Sequence, residues 1–179
     1  SEREGLHMLG KVGLNNTYAI GVTQDVVDQY GVSKISDLVP IASSLRFGAE
    51  HEFFTEEGSM KYQPFVDYYG LNFQSATPVD VVLKYNAVES GSFDAMVVYA
   101  TDGLNKRAGL TILEDDLGFF PEYYGAFLVR NDLFEDFYDA APNLEQVLEL
   151  LTGQVSSEEM VELTYAVDVD GRAVQDVAR

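Results

Sequence analysis

The stretch FDAMVVYATDG, Phe93 to Gly103, decides the fold. Phe93 to Tyr99 is apolar except for Asp94, without the alternation of a strand that has one wet face. Such a run predicts a short strand buried on both sides. Tyr99, Thr101 and Asp102 stand at its end. Gly103 then marks a turn, and Asp102 suits the cap of a following helix. Working upstream, Thr77-Pro78 carries a helix-start signature: Thr as N-cap, Pro at the first position, Asp80 in the first turn. It predicts a helix running to about Ser90 and stopping at Gly91. Met60, Tyr62, Phe65, Val66 and Tyr69 recur at helical spacing over Ser59 to Tyr69, and Gly70 ends the run. Leu45 to Ala49 and Tyr18 to Val22 predict strands. Between them, Thr23 to Gly31 predicts a helix, and a further helical piece runs from Ser36 to about Ser44. Downstream, Leu110 to Leu113 and Tyr123 to Val129 predict strands. Helix starts follow at Asn131, near Pro142 and at Ser156-Ser157-Glu158-Glu159, and the last residues predict a short helix. The alternation defines an α/β fold with a mostly parallel sheet. The helix-rich tail after Asn131 breaks that rhythm.

Composition narrows the function. The 179 residues suit one domain or two small lobes, and 46% apolar content excludes a disordered chain. A net charge of −19 leaves no basic patch for phosphates, so no nucleic-acid partner is expected. With no cysteine, disulfides and thiolate metal sites are excluded. The two histidines, His7 and His51, are too few for a multi-histidine metal site. No apolar run is long enough to span a bilayer, and the first residues do not resemble a signal peptide.

The motifs with chemistry are few. EHEFFTEEG, Glu50 to Gly58, concentrates carboxylates around His51 but is not HExxH. Glu114 to Asp116 lacks the glycine and spacing of a calcium loop. No GxGxxG, GxxxxGK[ST] or GxSxG occurs, and no nucleophile stands at a supported spacing from a base. No cofactor and no catalytic residue is therefore expected. Tyrosine is the conspicuous residue, with eleven copies and no tryptophan. Tyr18 in GLNNTYAIGV, Tyr99 in YATDG and Tyr123 in FFPEYYG stand at element ends beside polar groups. In an open α/β sheet such ends are where ligands bind, and converging tyrosine faces suit a quaternary ammonium. Each tyrosine also fits a half-buried core position with a satisfied hydroxyl.

LNNTYAI, ISDL, YATDG, LEDD and FFPEYYGA, in that order, resemble the substrate-binding proteins of glycine betaine, carnitine and choline ABC transporters. The resemblance runs from about Gly13 to the C-terminus and includes the tail from Leu144 to Ala178. It implies a type II periplasmic-binding-protein fold, two α/β lobes joined by crossing strands. It also implies that the chain is incomplete. Residues 14–98 would form the second lobe, and residues 1–13 and 99–179 part of the first. Exposed apolar surface is then expected on the partial lobe, with dimerisation or domain swapping to cover it.

The same resemblance assigns Tyr18, Tyr99 and Tyr123 to a cage around a trimethylammonium head. Asn16, with Thr17 beside it, would hold the hinge and meet the polar end of the ligand. The partners implied are a quaternary ammonium ligand and an ABC permease. The place is extracytoplasmic, with a lipid anchor or a permease fusion as tether. One departure stands out. Where many betaine-binding relatives carry an arginine for the ligand carboxylate, this chain has Glu56. Either the ligand lacks a carboxylate, as choline does, or another residue such as Arg46 or Lys61 pairs with it. A hydrolase using Glu50, Glu52, Glu56 or Glu57, or a non-transport sensing module of the same fold, are the alternatives.

Overall fold

The computed structural model describes residues 5–55 and 57–179. Two sheets organise the chain. β1 (Leu6–Asn15) pairs antiparallel with β7 (Tyr124–Arg130) in a two-stranded sheet, with register shifts along β1 between Met8 and Lys11 and between Lys11 and Asn15. The larger sheet holds β2 (Tyr18–Thr23), β3 (Arg46–Glu50), β4 (Ser75–Val79), β5 (Ala95–Tyr99) and β6 (Leu110–Ile112), in the order β4-β3-β5-β2-β6. It therefore takes one strand, β6, from beyond residue 98.

The sheet is mixed where a mostly parallel one is expected. β3 runs parallel to β4 and β5, but β2 is antiparallel to both β5 and β6. The reason is connectivity: β2 enters directly from β1 in the other sheet, not through a helical crossover.

The expectation that β5 is buried on both faces holds. Ala95 and Val97 point into a core shared with Ile20, Val22, Phe47 and Phe65. Met96 and Val98 point into a second cluster with Ala19, Tyr85, Val88 and Phe93. α1 (Gln24–Tyr30) and α2 (Tyr62–Tyr69) cover the first face, with two 3-10 turns, Ile35–Leu38 and Ala42–Ser44. α3 (Lys84–Glu89) and α4 (Leu104–Arg107) cover the second. The helix expected over Ser36 to Ser44 divides into those two turns. Pro40 between them has no N–H with which to continue the helical bonding, although Val39 before it keeps right-handed α geometry at φ −51° and ψ −50°.

Two further expectations are corrected. Thr77-Pro78 does not open a helix but lies within β4, paired with β3. β4 is an edge strand, where a proline's missing donor costs no ladder bond. Asp80 does make a cap-like contact, its carboxylate accepting from the Val82 N–H at 2.9 Å, but α3 starts only at Lys84. The second concerns α2, expected from Ser59. Pro64 needs to sit in the first turn, where its missing N–H is harmless, so the helix begins at Tyr62. Met60 is thereby left on the preceding loop.

The tail folds back as α5 (Leu133–Asp136), α6 (Leu144–Glu149), α7 (Ser157–Asp168) and α8 (Val174–Val177). The expected start at Ser156 is a full capping box. The Ser156 hydroxyl accepts from the Glu159 N–H, and the Glu159 carboxylate accepts from the Ser156 N–H at 2.8 Å. α7 docks on the turn after β5: Gly103 N–H donates to Thr164 Oγ1 at 2.9 Å, and Thr164 Oγ1 donates to the Thr101 carbonyl at 3.1 Å. Apolar side chains on this half stay exposed, among them Leu128, Tyr138, Val147 and Leu150. Among the described residues no helix is long and apolar enough to cross a membrane.

Candidate functional site

Tyr18 is the first residue of β2 and Tyr99 the last of β5, and the antiparallel register sets them directly opposite each other. Their rings stack at 5.1 Å between centroids. Phe53 and Phe120, both buried, meet the Tyr18 ring edge-on at 6.0 and 6.3 Å. Phe120 in turn stacks on Phe65 in the core. The tyrosine pair is thus the outer layer of a continuous aromatic stack, not a pair of loose surface rings.

The polar cluster before Tyr18 acts as a clamp. Asn15 Oδ1 accepts from the Tyr123 N–H at 2.6 Å, and the Asn16 N–H donates to the Tyr123 carbonyl at 3.0 Å. Thr17 donates its hydroxyl to the Pro121 carbonyl at 2.8 Å, while its own carbonyl accepts from the Ala100 N–H. Thr101, buried, donates to Asn16 Oδ1 at 2.6 Å. Three segments far apart in the chain, 15–18, 99–101 and 121–123, are tied at one point. That is why two adjacent amides and a hydroxyl precede the strand.

Around this knot lies a cavity of about 350 Å³, lined by Asn16, Thr17, Tyr18, Tyr99 and Tyr123 together with Met60 and Pro121. Five of the six residues singled out from the sequence therefore come together. Glu56, the sixth, lies outside the described residues. Met60 and Pro121 were missed: Met60 reads as the apolar face of a helix, and Pro121 as a loop residue. The FFPEYYG stretch carried a usable signal for Pro121, because a proline just before a site tyrosine fixes its approach.

Charge around the cavity is unevenly committed. Burial, then the neighbouring Tyr18 hydroxyl and the carboxylates of Glu50 and Glu52, push the Tyr99 hydroxyl well above the usual phenol range. It stays neutral and able to donate throughout the physiological range. Arg46, a candidate partner for a ligand carboxylate, is held by Asp94 through Nε at 2.9 Å and Nη2 at 2.8 Å, with Nη1 on the Gly91 carbonyl. This fork joins β3 to the start of β5, and Arg46 does not line the cavity. Lys61, the other candidate, donates to the Glu52 carbonyl at 2.6 Å beside Met60. Among the described residues there is no cluster of three or more metal-ligating side chains.

Residues 1–179 match the family described as the substrate binding domain of ABC-type glycine betaine transport systems, and the chain belongs to that family. It is 31% identical, over 96% of its length, to the ergothioneine transport permease/ergothioneine binding protein EgtU of Helicobacter pylori (strain G27). It is 30% identical, over 87% of its length, to the carnitine transport binding protein OpuCC of Listeria monocytogenes. The chain spans 30% and 49% of the lengths of these two relatives. Among solved structures, a glycine betaine/carnitine/choline ABC transporter protein superposes with a TM-score of 0.83 at 30% identity, over 99% of this chain and 63% of that one. The fold is type II periplasmic-binding-protein-like.

Proposed function

We propose that this chain is the ligand-capturing part of an extracytoplasmic receptor that takes a trimethylammonium compound and hands it to an ABC permease. The observation that carries the proposal is the convergence of Tyr18, Tyr99 and Tyr123 on one cavity. Tyrosine faces attract N(CH3)3+ with about 2 kcal/mol or more per well-placed, desolvated ring, and their hydroxyls still hydrogen-bond. The named ligands of the relatives, carnitine and ergothioneine, share that head group. Residues 14–98, joined by β6, form one lobe. Residues 1–13 and the later part of the chain belong to the other, and the clamp at 15–18, 99–101 and 121–123 is the hinge between them. Asn16 and Thr17 act mainly as wall and hinge, because their side-chain oxygens are already engaged.

A hydrolase working through Glu50, Glu52 and Glu57 gains no support from the structure. Glu50 is tied to the ammonium of Lys84 at 2.9 Å.

The test is a calorimetric titration of the full-length receptor with choline, glycine betaine, carnitine and ergothioneine. At least one is expected to bind, and Tyr18→Ala to weaken it at least tenfold, following from ~2 kcal/mol per ring. Binding of none of the four, or an unchanged affinity in Tyr18→Ala, would overturn the cage.

A further inference from the structure

Behind Tyr99 the fold buries a charge that the site described above does not use. Lys84, the first residue of α3, is 1% exposed. Among the described residues its ammonium has one ionic partner, Glu50 Oε1 at 2.9 Å, at the end of β3. Two rings also face it: Nζ lies 5.1 Å from the centroid of Tyr85 and 5.0 Å from that of Tyr99. A carboxylate and two aromatic faces thus replace the water an ammonium would otherwise hold. A well-packed apolar pair of similar size is often as stable as a buried ion pair, so stability does not by itself call for these two charges.

We propose that Lys84 and Glu50 are a positioning and charge-balancing pair that sets how strongly the tyrosine site discriminates a cation from a neutral molecule of the same shape. The inference rests on the function proposed above. Lys84 props the Tyr99 ring from behind and draws on its π-electrons. Glu50 cancels the field that the ammonium would otherwise send through that ring into the cavity. A ligand cation held within about 6 Å of the Tyr99 ring stands roughly 10 Å from Lys84. At that distance, one uncompensated charge changes cation affinity by about tenfold in a partly screened interior. A neutral ligand feels none of it.

The experiment compares choline with its uncharged isostere 3,3-dimethylbutan-1-ol on the full-length receptor, with the ratio of affinities as readout. Glu50→Gln leaves the ammonium uncompensated, and the cation preference should fall by about tenfold. Lys84→Met leaves the carboxylate uncompensated, and the preference should rise by a similar factor. A purely structural role would move both variants the same way, or weaken both ligands equally. Lys84→Met combined with Glu50→Gln removes both charges and is expected to fold even where a single change does not. It should restore the ratio to within about threefold, since opposite charges at one place cancel at a distance. A ratio unmoved in both single variants, or strongly shifted in the double, overturns the pair's role while leaving the cage standing. If the unsubstituted receptor binds none of the four quaternary ammonium compounds titrated above, the proposed function and this inference fall together.

Discussion

Gly103→Ala is the sharpest test of how the tail is seated. Gly103 has φ −63° and ψ −21°, a conformation any residue adopts, so the backbone raises no objection to a side chain. On conformational grounds alone, alanine would stabilise by up to about 1 kcal/mol. The packing says otherwise. A Cβ at this position would stand 2.3 Å from the Tyr165 N and 2.6 Å from its Cα. These are backbone atoms of α7 and cannot rotate away, so the helix would have to shift. Moving it strains packing by roughly 1–3 kcal/mol. It also loosens the bonds from Gly103 N–H to Thr164 and from Thr164 to the Thr101 carbonyl, worth about 1 kcal/mol each. After the conformational gain is subtracted, the net loss should be about 2–4 kcal/mol. In a urea titration of the purified protein, the midpoint should drop by about 1–2 M at an unchanged slope. A midpoint that stays put or rises would refute the docking of α7 on this turn.

Other outcomes follow from the same contacts. Phe65 is fully buried and lies within 5.7 Å of Phe119 and Phe120, which carry the wall of the cavity, so Phe65→Ala should cost about 3–5 kcal/mol and weaken ligand binding as well. Denaturation and calorimetry on one preparation would check both. Hydrogen bonds from Arg46 hold the Asp94 carboxyl below its ordinary value of 3.8. A lowered folded-state value means that its contribution is complete above that ordinary value and is lost as pH falls through the folded one. Asp94→Asn should therefore be less stable at neutral pH, with the gap narrowing as pH falls below about 4. A gap that stays constant down to pH 2 would contradict the assignment.

Much of the site was legible because its tyrosines sit at the ends of apolar runs, where chain and sheet geometry converge. Tyr18 and Tyr99 could be placed at strand ends from the apolar runs they bound, but joining them into one site took the family resemblance, because their facing register depends on a pairing some 80 residues apart in sequence. The failures have local causes. Thr-Pro followed by Asp is a helix start when a helix follows at once, and equally an edge strand running into a turn. Only the neighbouring β3 decides between them. β1 was not recognised because Gly10 and Gly13 interrupt its pattern and its partner, β7, lies more than 100 residues away. Lys84 left a signal that was passed over: a lone cation closing the apolar run VVL beside a tyrosine. Nothing in the chain order near it, however, points to Glu50.

The clamp also divides the cavity by how freely its walls can change over generations. Tyr18 and Tyr99 are bound into the aromatic stack and into each other, and the Asn15 to Thr17 segment ties three stretches of chain at once. A substitution there disturbs the fold before it alters taste. Met60 stands on a loop ahead of α2, and Tyr123 is 67% exposed. New side chains can be tried at Met60 at little structural cost, whereas Tyr123, though exposed, belongs to the proposed cage and has to keep its ring. On the function proposed above, a lineage of such receptors can keep its three tyrosines as an heirloom grip for the shared head group. It can redraw the Met60 side whenever a differently shaped tail becomes worth importing.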